Sequence, residues 1–384
     1  MAVASLEIKR RTPFEGGVSF GDVGSYELLE GTAHFSIDPL SDVNIPITDV
    51  GLAPRDPDGN VQFSSDFTLL CPADPKKGNG ALLLDVVNRG NKTILKNFNS
   101  TDPNLQPLES LQSGNGFLMR HGYTLVWCGW QPDLPDAPGL VGMRTTPEAL
   151  GPDGQSLEGN ILGWYQVDVP TNTLRLTHSD HSTHPPVDPE EPTAALYVSD
   201  HPNDAPVLID RSNWSFVRDS TPGSDEWLLA MSSGFQPGRI YQLVYKSVGS
   251  VIVGLGMAAV RDIASYLKYS DLDDNPMAGA ISHAYAFGRS QCGRFLRQYV
   301  HLGLNEDEAG RMALDGIIAH VAGAMRGEFN LRFGQPSKDI CFICPELFPF
   351  TDTPQIDPAT GETASMLAHM EEHGSVPKIM FINT

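Results

Sequence analysis

Residues 284–298 read AYAFGRSQCGRFLRQ: a short apolar run, a glycine, Ser290 and Cys292 two apart, then a basic stretch of helical composition. In a sharp turn from strand to helix the helix starts almost against the strand. The positions two before and two after the apex must then be small. Centred on Ser290 they are Gly288 and Cys292; centred on Cys292 they are Ser290 and Arg294, and an arginine there collides with the strand. Sterics therefore choose Ser290 as apex and nucleophile, with Cys292 packed under the turn where glycine is usual. The competing reading is an ordinary glycine–serine turn without chemistry.

A helix beginning at Gln291 aims its free N–H groups at the serine, so the Gln291 amide is the first expected donor to an oxyanion. The second is expected from the loop after the third core strand. Here residues 81–87, ALLLDVV, form an apolar run of buried-strand type, and the loop that follows is NRGN, residues 88–91. Gly90 permits close backbone approach, so Arg89 and Gly90 are the candidates. Trp130, Gln131 and Asp133 follow the next apolar run, residues 123–128, at the end where open α/β sheets collect ligands. They are candidate pocket residues, with packing an equal role for Trp130.

The chain has 384 residues, 40% hydrophobic and 19% charged, enough for a large core. It carries 26 basic and 47 acidic side chains, a net charge of −21. That balance argues against nucleic acid and anionic membrane surfaces and favours uncharged ester substrates. The N-terminus has no apolar core of signal-peptide length, and the most apolar stretch, residues 251–260, is about half a membrane span; a cytoplasmic location is expected. Five cysteines, an odd number, do not read as a disulfide framework. Cys341 and Cys344 form a lone CxxC, better read as small buried side chains than as a redox or metal site.

The first eighty residues or so alternate polar and apolar, as strands joined by Asp/Pro/Gly turns. Strand, loop, helix, strand then gives a parallel-sheet rhythm, with a helix end at 117–121. From about 136 to 240 the rhythm breaks into a Pro-, Asp-, Ser- and His-rich stretch with short strands. It returns with a helix whose Leu255, Ala259, Ile263, Tyr266 and Leu267 share a face, a strand at 284–287, a helix at 291–302, a strand at 316–320, a helix around 364–373 and a strand at 378–383.

The blocks LLLDVVNRGNK, FLMRHGYTLVWCGWQPDL, GFQPGRIYQLVYK, GLGMAAVRDIASYLKY, FGRSQCGRFLRQ and PFTDTPQIDPATGE resemble, in order, the large bacterial family of alpha/beta hydrolase domain-containing proteins. The resemblance implies a three-layer α/β/α hydrolase fold with a mostly parallel sheet and a β-rich insertion. Residues 1–135 would hold the first half of the core, 136–240 a β-rich cap and 241–384 the second half. It implies a serine hydrolase acting on a small carboxylic ester through Ser290, without metal or cofactor; the family usually has serine where Cys292 stands. In such folds the chain order is Ser, acid, His, and the family pattern puts its acid a few positions beyond the strand at 378–383 and its histidine later. The chain stops at Thr384, so the expectation is a truncated hydrolase with impaired turnover. Of the histidines present, His301 points away from the strand ends, His283 lies at the wrong end of its strand, and His320 is the best internal substitute for the base.

Three rival motifs are weighed against this reading. Residues 251–259, VIVGLGMAA, match the dinucleotide pattern, with Gly254 and Gly256 as its first glycines and Arg289 placed for a 2′-phosphate; this NADP-dependent oxidoreductase is the alternative function, beside a non-catalytic fragment. Against it stand a short strand signal and the roughly 250 residues ahead of the motif. Residues 369–373, HMEEH, fit an inverted zinc-protease pattern but read better as a solvated acidic helix. His178, His181 and His184 lie in a Pro-rich loop, where a polar loop is a better reading than a metal site.

Overall fold

The structure is a computed structural model of the chain and describes residues 2–102, 111–176, 184–338, 348–358 and 360–383. Among them a nine-stranded mixed sheet forms the frame. Its strands are β1 (Val3–Pro13), β2 (Tyr26–Ile37), β3 (Val61–Pro72), β4 (Ala81–Val86), β5 (Thr124–Cys128), β6 (Met143–Thr145), and later β14 (His283–Arg289), β15 (Gly316–His320) and β18 (Lys378–Ile382). The order is β1-β2-β3-β5-β4-β14-β15-β18, with β6 paired to β3. The two halves follow different pairing rules. β1, β2, β3 and β5 run antiparallel to their neighbours, whereas β5, β4, β14, β15 and β18 are parallel. Composition explains the split. β4 and β5 are apolar and buried along nearly their whole length, as parallel strands covered on both faces must be. The outermost β1 carries Lys9, Arg10 and Arg11, the charges that blunt an exposed edge.

Between residues 158 and 248 lie β7 (Glu158–Tyr165), β8 (Thr171–Arg175), β9 (Ala195–Ser199), β10 (Val207–Ile209), β11 (Trp214–Arg218), β12 (Trp227–Phe235) and β13 (Ile240–Val248). They form two smaller sheets, β10-β9-β13-β7 and β11-β12-β8. Their inward side chains, with Trp214, Phe216, Leu243 and Tyr245 among them, make a hydrophobic cluster separate from the main core, joined by Phe333 from a later loop. A hairpin of β16 (Gln355–Ile356) and β17 (Thr363–Ala364) completes the strands.

Helices are few: α1 (Ile94–Phe98), α2 (Phe117–Arg120), α3 (Leu255–Tyr269), α4 (Gln291–His301) and α5 (Ala368–His373), of which only α3 and α4 exceed six residues. The helix expected around 364–373 is thus shorter, beginning at Ala368, with Ala364 placed in β17. The face of α3 that Leu255, Ala259, Ile263, Tyr266 and Leu267 share is buried, and so is the rest of the helix from Leu255 to Leu267. A helix buried all round must neutralise its polar groups internally. Arg261 and Asp262, both essentially unexposed, pair at 2.7 Å, and Arg261 donates further to Asn44 Oδ1 and the Val43 carbonyl. No helix among the described residues is long and apolar enough to cross a membrane.

Candidate active site

The sheet reverses direction of growth at β4. The chain passes from β4 to β5 on one side and later adds β14, β15 and β18 on the other. Such a switch point opens a crevice outside the carboxyl ends of the strands. The loop after β4 and the turn after β14 therefore meet there: Asn88 Nδ2 donates to the Arg289 carbonyl at 3.2 Å.

The turn after β14 has the geometry that the small residues anticipate. Ser290 sits at φ 57°, ψ −115°, is exposed, and directly precedes α4. Few non-glycine residues occupy that region, and they concentrate where surrounding structure holds them. The hold is visible on both sides. The Ser290 amide donates to the His320 carbonyl at 2.8 Å, and the Ser290 carbonyl accepts from the Arg294 amide at 3.0 Å. A Cβ on Gly288 would lie 2.3 Å from the Cys292 carbonyl oxygen, and one on Gly293 would lie 2.9 Å from Ala322 Cβ. Gly293 was not singled out from the sequence, although the pair GRSQCG carries it. Cys292 is wholly buried, and burial pushes its thiol well above the ordinary cysteine range. The exposed oxygen is that of Ser290; the sulfur is beneath it and protonated.

Two backbone donor sets flank the serine. Among the described residues the Gln291 amide, first of α4, makes no hydrogen bond. The loop after β4 is a tight turn closed by reciprocal Asn88 and Asn91 backbone bonds of 3.0 Å. Its central residues, Arg89 at φ 48° and Gly90 at φ 77°, are both left-handed, as in a type I′ turn. Their amides too bond to nothing described.

Asp85, which the sequence reading passed over, anchors this loop. It is a fully buried carboxylate whose Oδ2 accepts from Thr93 N at 2.5 Å, Ile94 N at 2.8 Å and Trp127 Nε1 at 2.7 Å, while Oδ1 accepts from the Thr93 hydroxyl at 2.9 Å. It thus fastens the far end of the 88–91 turn to the start of α1 and to β5. Burial raises its pKa to about 6 despite these bonds. The available signal was a lone acid inside the apolar run ALLLDVV.

The residues proposed to line a pocket are placed as supports. Trp130 is 1% exposed and Gln131 fully buried. Trp130 Nε1 donates to the Val87 carbonyl at 2.7 Å, and its ring packs on Phe295 of α4 and on Phe329. Gln131 Nε2 donates to Ser337 Oγ at 2.9 Å, and Asp133 Oδ2 accepts from the Ser337 amide at 3.0 Å; burial raises the Asp133 carboxyl. The same short segment receives the other two groups. Arg89 Nη2 donates to the Ser337 carbonyl at 3.0 Å, and the Gln291 side chain donates to the Pro336 carbonyl. Residues 336–337 therefore tie the turn after β4, the start of α4 and residues 131–133 into one frame.

The rival motifs part from this frame. No parallel strand feeds α3: the preceding strand is β13, in a different sheet, and Val251 makes only an isolated bridge to Glu148. A Cβ on Gly256 would lie 2.0 Å from the Trp130 carbonyl oxygen, so that glycine serves a helix crossing rather than a pyrophosphate. The dinucleotide reading is corrected on those two grounds. His369 and His373 lie on α5, and among the described residues no three His, Cys, Asp or Glu side chains are grouped to hold a metal. His178, His181, Cys341 and Cys344 lie outside the described residues. His184 is described; its ring packs edge-on against Phe333, and burial lowers its pKa. His283 is exposed at the amino end of β14. His301, at the last turn of α4, rests against His369. His320 ends β15 in register with Arg289, and its Nδ1 is buried without a partner.

Residues 205–361 match the family model of an alpha/beta hydrolase domain. The matched span includes β14, the turn at Ser290, α4 and the 326–338 loop. An alpha/beta hydrolase domain over this span suggests a hydrolase-type function. No curated protein and no solved structure matches the chain.

Proposed function

We propose that the protein is a serine hydrolase that cleaves a carboxylic ester through an acyl-enzyme on Ser290. One observation carries the reading: an exposed serine hydroxyl held at φ 57°, ψ −115° between a parallel strand and the start of a helix, at the switch point of the sheet. In this reading Ser290 Oγ attacks the ester carbonyl. The developing oxyanion is met by the Gln291 amide on one side and by the Arg89 or Gly90 amide on the other. Collapse expels the alcohol, and water then releases the acid. The Ser290 hydroxyl makes no hydrogen bond to an imidazole among the described residues, so base and acid are assigned to none of them. The three-layer core and the division at 136–240 belong to the same proposal; the separate hydrophobic cluster of β7–β13 supports treating that stretch as a cap.

Labelling with a fluorophosphonate probe tests the nucleophile. Wild type and Cys292→Ala are expected to be labelled and Ser290→Ala not. Labelling that vanishes only in Cys292→Ala overturns the assignment.

A further inference from the structure

A cavity of about 340 Å³ lies between β7 and the loop 326–338. It is separate from the crevice: among the described residues neither Ser290 nor its turn lines it. It marks the seam of two hydrophobic clusters. The loop gives Phe329 to the main core and Phe333 to the cluster of β7–β13, and both residues line the cavity. Boundaries of this kind are where small-molecule pockets concentrate. β7 supplies the facing wall. It is an edge strand, paired only with β13 among the described residues. Its side chains alternate: Ile161 and Tyr165 turn into the β7–β13 cluster, which sends Leu162 and Trp164 to the other face. Leu162 is 42% exposed there, and Leu331 of the loop is 50% exposed. Both line the cavity, so apolar surface stands open to water on each side of it.

The walls are held in place. Phe333 sits at φ 55°, a left-handed conformation that a bulky side chain rarely adopts, and its amide donates to Ser250 Oγ at 2.8 Å. A Cβ on Gly159 would lie 2.6 Å from Phe333 Cε2 and one on Gly327 would lie 2.4 Å from Phe329 Cζ, so glycine at both positions leaves room for the two rings. The charged side chains around the cavity are engaged. Arg332 forks onto Asp49 at 2.5 and 2.7 Å, and Arg326 donates to the Phe348 carbonyl. Glu328 accepts from the Gln335 amide at 3.0 Å, and Arg294 likewise has a partner. Lys338 Nζ is shut from solvent 4.5 Å from the centroid of the Tyr165 ring, so what lines the cavity is its stem; burial pulls its pKa down to about 8.

We propose that this cavity is a binding site for a small uncharged aromatic molecule, seated between Leu162 and Trp164 on one side and Phe329 and Leu331 on the other. The site stands or falls independently of Ser290. Removing the ligand's rings and the open Leu162 and Leu331 surfaces from water drives the binding. An anion meets no open cation among the described lining residues to offset its desolvation, and the net charge of −21 repels it besides.

Calorimetry with 2-naphthol and its anionic counterpart 2-naphthoate tests the site. 2-Naphthol is expected to bind with a Kd below about 1 mM, and 2-naphthoate at least about tenfold more weakly. Leu162→Arg and Leu331→Arg alter two partly exposed positions on opposite walls, and urea unfolding checks that each variant is folded. Each is expected to weaken 2-naphthol at least about tenfold, while Leu208→Arg, on the opposite edge strand of the same sheet, leaves the affinity within about twofold of wild type. Absent binding to wild type, equal or tighter binding of 2-naphthoate, or affinity that survives both wall substitutions overturns the proposal. Hydrogen exchange on wild type needs no variant: protection gained on 2-naphthol binding at 158–165 and 326–338 supports the site, and protection gained only elsewhere overturns it.

Discussion

Asp85 gives the sharpest test of how the crevice is built, because its energy can be worked from its surroundings. The carboxyl is fully buried and ionises near 6 in the folded chain, against 3.8 for an unburied aspartate. The folded state therefore binds the proton more tightly than the unfolded one. Stability from this group is fully present below about pH 3.8 and is lost as pH rises to about 6. At 1.36 kcal/mol per pH unit the interval amounts to about 3 kcal/mol. Asp85→Asn is the apt perturbation. Its oxygen can take the place of Oδ2 toward Thr93 N, Ile94 N and Trp127 Nε1, while its amide donates to the Thr93 hydroxyl, which reverses its role. Urea unfolding of both proteins at about pH 4 and about pH 7.5 is expected to show the variant gaining about 2 kcal/mol on wild type between the two. Asp85→Ala, which orphans four donors, is expected to cost more than about 3 kcal/mol at either pH and to loosen the 88–91 turn. A wild-type-minus-Asn difference that is flat with pH, within about 0.5 kcal/mol, refutes the buried ionised carboxylate.

Gly288→Ala places a Cβ 2.3 Å from the Cys292 carbonyl oxygen and is expected to cost about 1–3 kcal/mol or more by urea unfolding; wild-type stability would deny the tight turn. Cys292 is unexposed with a thiol held well above its usual range. Native-state alkylation at about pH 8, read by peptide mass mapping, should therefore leave it unmodified until urea is added. His320→Ala is expected to keep fluorophosphonate labelling of Ser290 within about threefold of wild type, since no bond joins its imidazole to the serine hydroxyl; a fall of ~10³ or more would make His320 the base.

What was legible in the sequence is what sterics or continuous burial impose locally. Small residues around Ser290 announce the turn because a helix cannot start against a strand otherwise. The runs at 81–87 and 123–128 announce parallel strands because both faces are covered; the strands are observed at Ala81–Val86 and Thr124–Cys128. The strand at 316–320 is found at Gly316–His320 for the same reason. What stayed hidden are features defined only by distant partners. Arg89, Gln131 and Gln291 are separated from one another by about 40 to 200 residues, yet each makes a side-chain hydrogen bond to residues 336–337, a loop with no periodicity to mark it.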